Sequence, residues 1–289
     1  MNYKIKTVLF KSLALLPNKL DDYFYHKIQS FFDKSSLESR IKRTESTYLR
    51  LSKVLTDLNI DLKDKNVFEL GSGWFPAMPY YFKYKLQVKK IITVDINEHF
   101  KRKTVLKLNN LFSNLYAFNV ITNMESKYGL PEGIEYFPKK NVLDSNLPDM
   151  KMFFSRYVLS HMSKDDVDDL HKKLKKELKK DSYIIHFISP SDLRQHNDSN
   201  LSMQDFLKYS EREWKKIHTK FDYHNRLRLP QFLEIFKKYD FEVLYLEYES
   251  LQKNTKKYDL FKKIKLHEDF INYSDDELTA GNILVVLKV

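Results

Sequence analysis

The 289-residue sequence predicts an α/β protein whose sheet is mostly parallel and covered by helices on both faces. From Asn66 onward, short apolar runs alternate with helical segments, as expected of consecutive strand–helix units. Two later runs rich in Val, Leu and Tyr, at 241–248 and 283–289, bring the predicted strands to seven. Hydrophobic residues make up 42% of the chain, which is enough for one sizeable core.

The five earlier strands are each predicted from a short run of β-branched and aromatic residues. They cover residues 67–70, 90–95, 134–137, 152–155 and 183–188. Helices are predicted between them, one starting at Pro76, a basic one ending at Asn109, and one over 164–179. No internal repeat or low-complexity linker interrupts residues 61–289, so we expect a single domain there.

Residues 1–60 are predicted to form a helical extension, with helices over 20–32 and 37–58 and a cap at Ser35-Ser36. Segment 7–16 has the basic start of a secretory signal, but Lys11 interrupts it and Pro17 follows it. An amphipathic or packed helix is the better interpretation, with peripheral membrane contact as the alternative. No stretch approaches the roughly 20 apolar residues that span a bilayer.

The chain has no cysteine, which excludes disulfides, thiolate zinc sites and a cysteine nucleophile, and we expect a cytoplasmic protein. Its formal net charge is +11, and such an excess attracts phosphate backbones and anionic surfaces. Much of it is lysine scattered over helical faces, as in 172–180, where solvated helices are the favoured interpretation. Nucleic acid therefore stays open as an alternative partner.

Glu69-Leu70-Gly71-Ser72-Gly73-Trp74 is the most informative stretch, because it lies where a buried strand turns into a helix. Two glycines let the backbone approach a ligand closely, and the following helix start supplies free N–H groups. Asp95 ends the next strand, 22 residues after Gly73. That spacing suits a carboxylate that binds the two hydroxyls of a ribose. We therefore predict a nucleoside-binding crevice at this turn.

The same residues separate three cofactor classes. A dinucleotide site needs a third glycine where Pro76 stands, and a phosphate-cradling loop needs a Gly-Lys-Ser/Thr run that the chain lacks. Glu69, just before the glycines, would repel a phosphate but suits a cofactor that carries a cationic amino acid. S-adenosylmethionine is such a cofactor, since it has a sulfonium and an ammonium group and no phosphate.

With these motifs, the sequence resembles the class I S-adenosylmethionine-dependent methyltransferases. Glu69-x-Gly71-x-Gly73 is similar to their first motif, Asp95 to the acid closing strand two, and residues 154–161 to their strand-four motif. The resemblance implies a Rossmann-like seven-stranded sheet with an antiparallel last strand at 281–287, and makes residues 61–289 the methyltransferase domain. Gly-Trp-x-Pro at 73–76 resembles a variant linked to surface-polysaccharide biosynthesis.

The resemblance also implies roles for single positions. Gly71 and Gly73 would border the methionine part of the cofactor, and Glu69 would help to hold its ammonium. Asp95 would bind the ribose and Ile96 would pack on the adenine. An acid or an amide near 141–144, with Asp144 favoured, would contact the adenine amine. The predicted cofactor-binding set is Glu69, Gly71, Ser72, Gly73, Trp74, Asp95, Ile96, Asp144 and Ser155.

Candidate catalytic groups follow strands four and five, because ligands of open α/β sheets bind outside the carboxyl ends of the strands. His161 and His186 could remove a proton from an acceptor hydroxyl, with Asp192 beside them. The alternatives are that His161 caps a helix, His186 is a satisfied core histidine and Asp192 caps a turn. No recognised ligand spacing is present, so no metal is predicted.

Residues 189–230 are predicted to form a lid over the acceptor, with Arg194, Arg226 and Arg228 as substrate-binding residues. A lid held by its own salt bridges is the alternative interpretation. Together with the cofactor site and the histidine-rich edge, the resemblance to the polysaccharide-linked variant implies O-methylation of a glycan or glycoconjugate hydroxyl, and Trp214 and nearby tyrosines would suit sugar rings. A nucleic-acid methyltransferase and a non-catalytic cofactor-binding scaffold are the two other hypotheses.

Overall fold

The computed structural model describes residues 3–13, 36–219 and 221–289. The helix predicted over 20–32 lies outside these residues, as do positions 14–16. The α-helices are α1 Tyr3–Leu13, α2 Leu37–Asp57, α3 Ala77–Tyr84, α4 Arg102–Tyr116, α5 Lys164–Glu177, α6 Glu211–Ile217, α7 Leu229–Lys238, α8 Lys256–Lys262 and α9 Asp275–Thr279. The strands are β1 Asn66–Leu70, β2 Lys90–Asp95, β3 Ile134–Pro138, β4 Met152–Arg156, β5 Tyr183–Ile188, β6 Glu242–Glu249 and β7 Gly281–Lys288.

The seven strands form one sheet in the order β3-β2-β1-β4-β5-β7-β6. Strands β1 to β5 pair in parallel, whereas β7 lies antiparallel between β5 and β6. The fold class predicted from the sequence, a mostly parallel Rossmann-like sheet with an antiparallel last strand, is therefore confirmed. Because parallel strands end at the same edge, the Gly71 turn, Asp95, Arg156 and Ile188 all lie at the carboxyl edge of the sheet.

Strand register decides which side chains share a face. Glu69 is paired with Thr93 on one side and Phe154 on the other, so these three residues point to the same face. Leu70 is paired with Ser155, which places both on the opposite face. Helices α2, α3 and α4 pack on the first face, and α5 and α7 on the second.

Helix α4 runs seven residues past Asn109, where the sequence analysis ended it. Asn109 is buried, and its amide donates to the Thr122 hydroxyl at 2.7 Å and to the Gly129 carbonyl at 3.0 Å. Its side-chain oxygen accepts from the Tyr80 hydroxyl. These tertiary bonds outweigh the poor helix propensity of asparagine. The helix ends at Ala117, whose φ is +53°.

A third cluster of apolar side chains covers the carboxyl edge above β5 to β7. It joins two chain segments, one that follows β5 and one that connects β6 to β7; its buried members are Phe206, Leu207, Trp214, Phe261, Phe270 and Leu278. Phe10 of α1 is buried, with its ring 5.9 Å from the ring of Phe221 in the segment that follows β5. The N-terminal helix, half inside segment 7–16, is thus a packed helix, and no helix among the described residues is long and apolar enough to cross a membrane.

Candidate active site at the carboxyl edge

The glycine turn is shaped by two left-handed residues, Gly71 at φ +82° and Gly73 at φ +63°. The Gly71 N–H donates to the Val94 carbonyl at 2.8 Å, which extends the β1–β2 ladder into the turn. A Cβ atom at Gly71 would lie 2.2 Å from Cγ2 of Val158, whereas one at Gly73 would meet nothing within 4 Å. Gly71 is therefore required by close packing, and Gly73 borders open space.

Asp95 is fixed against this turn. Its Oδ2 accepts the Gly73 N–H at 3.1 Å and its Oδ1 accepts the Asn97 N–H at 2.9 Å. Burial raises the pKa of Asp95, and the two backbone donors oppose that shift. The predicted ribose-binding carboxylate is thus preorganised beside the open space at Gly73. The adjacent Ile96 is 68% exposed at the same strand end.

Glu69 lies beneath the turn at the end of a short hydrogen-bond chain. The Thr93 hydroxyl donates to Oε2 of Glu69 at 2.6 Å, and the Ser72 hydroxyl lies 2.6 Å from that of Thr93. Since Thr93 has one proton and gives it to Glu69, Ser72 is the donor to Thr93. Burial raises the pKa of Glu69 to about 7, and the positive charge of Arg156 opposes the shift.

Arg156 is a residue that the sequence analysis did not single out. It ends β4 on the same face as Glu69, and its Nη1 donates to the Thr44 hydroxyl of α2 at 3.3 Å. Burial lowers the pKa of Arg156, and the charge of Glu69 raises it. A negative and a positive side chain therefore lie together under the glycine turn. The register of β4 on β1 creates this pair, and no local motif signals it.

Tyr157 was also missed. It follows β4 with φ +60°, a conformation that bulky residues rarely adopt, and its N–H donates to the Phe187 carbonyl at 2.7 Å. The side chain is 39% exposed, and the Arg156 guanidinium carbon lies 5.8 Å from its ring centroid. A strained backbone thus presents an aromatic ring at the carboxyl edge, next to the Val158 that packs on Gly71.

Two other predicted cofactor-binding residues lie on loops around the turn. Trp74 is half-buried and its ring lies 4.7 Å from that of His99, so it flanks the turn. Asp144 is exposed at the end of a 3-10 helix, Val142–Asp144. The loop that leads to this helix is tied to Asp95 by a bond of 3.1 Å from the Lys140 N–H to the Asp95 carbonyl. The contact of Asp144 with adenine stays a prediction.

The side chains of Ser155 and His186 point away from this crevice, and their predicted cofactor-binding and catalytic roles stay predictions. Both are fully buried on the opposite face of the sheet, where the Ser155 hydroxyl lies 2.7 Å from Nδ1 of His186. Nε2 of His186 lies 3.3 Å from Nε2 of His171, whose Nδ1 donates to the Val167 carbonyl at 2.7 Å. The Ser155 hydroxyl and all four ring nitrogens of His171 and His186 therefore have hydrogen-bond partners, as the alternative interpretation of His186 as a core histidine predicts.

Asp192 and Arg194 are likewise bound to each other. Asp192 is buried, and its carboxylate caps a 3-10 helix by accepting the Arg194 N–H at 3.0 Å. The Arg194 guanidinium lies 2.6 Å from Asp192 and 3.0 Å from Asp205. Because both carboxylate oxygens of Asp192 face Arg194, the pair stabilises segment 189–230 internally. The structure thus binds both side chains internally, and the catalytic role of Asp192 and the substrate contact of Arg194 stay predictions.

Arg226 and Arg228 also point into segment 189–230 rather than outward. Arg226 contacts the Tyr209 carbonyl and pairs with Glu211 at 2.8 Å. Arg228 is fully buried, with Nη1 3.3 Å from the Leu278 carbonyl. The buried Trp214 donates its indole N–H to the His224 carbonyl at 2.8 Å, and its ring packs against Phe206 and Tyr209. Both arginines are therefore bound within the protein in this geometry, and their substrate-binding roles stay predictions.

His161 is the candidate catalytic residue that does lie at the edge. It ends a 3-10 helix, Leu159–His161, directly after β4, and it is exposed. Its Nδ1 lies 3.1 Å from the Tyr223 carbonyl, and its ring packs 4.5 Å from that of His224. A carbonyl can only accept, so Nδ1 carries the proton and Nε2 carries the lone pair. Within the described ranges, no group of three His, Asp or Glu side chains is arranged to hold a metal ion.

Comparisons with known proteins give similarity of fold alone. No family model and no curated protein sequence matches the chain. Magnesium protoporphyrin IX methyltransferase from Synechocystis PCC 6803, solved with bound SAH, aligns at TM-score 0.47 and 11% identity over 86% of this chain and 84% of its own. A SAM-dependent methyltransferase from Methanosarcina mazei aligns at TM-score 0.45 and 12% identity over 78% and 93%. A candidate hemolysin from Lactococcus lactis aligns at 0.43 and 12% over 83% and 84%.

Proposed function

We propose that this protein is an S-adenosylmethionine-dependent methyltransferase. The observation that carries the proposal is the placement of Glu69 and Arg156 on the same face beneath a glycine turn that Asp95 fixes beside open space. A phosphate-bearing cofactor would be repelled by the carboxylates of Glu69 and Asp95. A cofactor with a cationic sulfur and an amino-acid zwitterion is complementary to one acidic and one basic side chain.

Five residues around the glycine turn would each bind one part of this cofactor. Asp95 accepts from the ribose hydroxyls, Ile96 packs on the adenine, and Glu69 pairs with the ammonium group. Arg156 faces the carboxylate of the methionine part, and Gly73 leaves room for the chain between them. The bound cofactor supplies a methyl group already activated by the sulfonium.

His161 is the proposed general base. With Nδ1 protonated and held by Tyr223, its Nε2 accepts the proton of an acceptor hydroxyl as that oxygen attacks the methyl carbon in line. Partial desolvation lowers the pKa of His161, which favours the neutral ring at pH 7, and the hydrogen bond to Tyr223 opposes this shift. Replacing His161 with Asn should lower kcat about 10²–10⁴-fold and leave cofactor affinity unchanged.

For the acceptor we propose a hydroxyl of a glycan or glycoconjugate. Two observations support it: the Gly-Trp-x-Pro stretch at 73–76, and the exposed Tyr157 ring at the carboxyl edge. A nucleic-acid acceptor has only the net charge of +11 in its favour.

Calorimetry with S-adenosylhomocysteine tests the cofactor. Wild type and the control Asp165→Asn, altered on the exposed face of α5, should bind alike, whereas Asp95→Asn should lose at least about tenfold. Absence of binding by wild type would refute the proposal.

Transfer of a tritiated methyl group from S-adenosylmethionine tests the acceptor, with p-nitrophenyl glycosides and total RNA as separate probes. Label on RNA alone would overturn the glycan assignment. Binding without transfer to either would favour the scaffold hypothesis.

A further inference from the structure

We propose that segment 189–230 encloses a binding site for a small monovalent anion, of which chloride is the representative, at the buried guanidinium groups of Arg226 and Arg228. This site is separate from the glycine turn, and it does not depend on the proposed function.

Arg228 is the central group. It is fully buried, its Nε donates to the Arg226 carbonyl at 3.1 Å and its Nη1 to the Leu278 carbonyl at 3.3 Å. Its Nη2 is buried and has no hydrogen-bond partner in the part of the chain that the structure describes. A buried guanidinium N–H without an acceptor is strongly unfavourable, more so because it is charged. The fold therefore buries a cationic N–H donor that a bound anion would stabilise.

Arg226 supplies a second donor of the same kind. Its Nη2 pairs with Glu211 at 2.8 Å and its Nη1 contacts the Phe206 carbonyl at 3.4 Å, but its buried Nε has no partner. Arg228 also packs on Phe206, with its guanidinium carbon 5.1 Å from the ring centroid. Arg226 and Arg228 both contact Phe206, and each thus keeps one buried N–H without an acceptor among the described residues.

The charges of the surrounding cluster leave one cation uncompensated. Its carboxylates are Asp192, Asp205 and Glu211, and its cations are Arg194, Lys208, Arg226 and Arg228. All the ion pairs between them involve the other three cations, so Arg228 forms no ion pair with a carboxylate of the described residues. Burial and the charge of Arg226 lower the pKa of Arg228 to about 9, and the charge of Asp192 opposes this shift, so Arg228 is protonated at pH 7.

The burial and the single charge of Arg228 select a small monovalent ligand. Arg228 has no exposed surface, two of its N–H groups donate to carbonyl oxygens, and its guanidinium lies over the Phe206 ring. A halide fits such a setting because it carries one negative charge, needs no directional acceptor geometry and is little larger than a water molecule. A larger organic anion would have to separate Phe206 from Leu278.

Thermal unfolding in sodium chloride and in sodium gluconate, at equal ionic strength, tests the site. A ligand that binds only the folded state raises Tm, and we expect chloride to raise that of wild type by about 2–4 °C. Arg228→Met should abolish the difference and should unfold in gluconate at or above the wild-type temperature, since it removes an uncompensated charge. The control Arg212→Met, on the exposed side of α6, should keep the chloride effect.

Crystals grown in bromide provide a second readout that holds even where Arg228→Met does not fold. An anomalous peak in contact with Nη2 of Arg228 is expected. Equal Tm values in the two salts, or a water molecule without anomalous signal at that position, would overturn the proposal.

Discussion

Alanine substitutions at Gly71 and Gly73 should separate packing from ligand binding. Both glycines have positive φ, so each alanine costs about 1–2 kcal/mol of conformational strain. Only at Gly71 would the new Cβ clash, at 2.2 Å from Cγ2 of Val158. Such overpacking adds about 1–3 kcal/mol. We therefore expect Gly71→Ala to lower the free energy of unfolding by about 2–5 kcal/mol and Gly73→Ala by about 1–2 kcal/mol.

Urea unfolding measures both free energies. Calorimetry with S-adenosylhomocysteine should give the opposite ranking for cofactor affinity, with the larger loss in Gly73→Ala. The Gly73→Ala methyl group enters the open space beside Asp95, so this variant should lose cofactor affinity while it stays folded. Val158→Ala removes the clashing methyl group, so the double variant Gly71→Ala/Val158→Ala should be more stable than the sum of the single changes by about 1–3 kcal/mol.

Equal destabilisation by the two glycine variants, or strict additivity with Val158→Ala, would show that the turn does not pack as described. Unchanged cofactor affinity in Gly73→Ala would place the ligand elsewhere.

Three further predictions concern ionisation and strain. Burial raises the pKa of Glu69 to about 7, so binding of the cationic cofactor should ionise Glu69 and release a proton. At pH 6.5 the heat of binding should therefore vary with the ionisation enthalpy of the buffer, and this variation should disappear in Glu69→Gln. His171 and His186 have pKa values lowered by burial, to about 4 for His171, so the unfolded chain binds more protons below pH 6.5. The free energy of unfolding should therefore keep its full contribution from this pair above pH 6.5. As the pH drops toward 4, the part due to His171 should fall by about 3 kcal/mol. A His171→Leu/His186→Leu variant whose free energy of unfolding has the same pH dependence as that of wild type would contradict this. Tyr157→Gly should relieve the strain at φ +60° and unfold at the wild-type temperature or higher, yet lose methyl transfer, whereas Tyr157→Phe keeps it; a clear fall in Tm for the glycine variant would mean that the ring serves the fold instead.

Much of the fold could be read from local patterns. The predicted strand over 90–95 coincides with β2, and the capping role of Ser36 is confirmed by the bond of 3.1 Å from the Ser39 N–H to its hydroxyl. Gly71 and Gly73 lie in the predicted turn, and Asp95 reaches it as the spacing implied. These features depend on neighbours in the chain or on the common edge of parallel strands, so the sequence alone determines them.

The tertiary structure decided which polar groups meet. Ser155 and Glu69 both belong to motifs of the resemblance, but the register that pairs Glu69 with Phe154 sends Ser155 to the other face, toward His186. The same register brings Arg156 to Glu69. No pattern within one strand encodes its alignment with the next, because that alignment depends on how the whole sheet packs.

The arginines of segment 189–230 show the same limit. Their type and spacing suggested an anionic substrate, yet Arg194 is neutralised by Asp192 and Asp205, and Arg226 by Glu211. Whether a guanidinium faces a ligand or the interior depends on the packing of Phe206, Trp214 and Leu278, which come from two chain segments joined only in the folded protein. The sequence determines which chemical groups are present, and the enclosed packing determines which of them remain for a ligand.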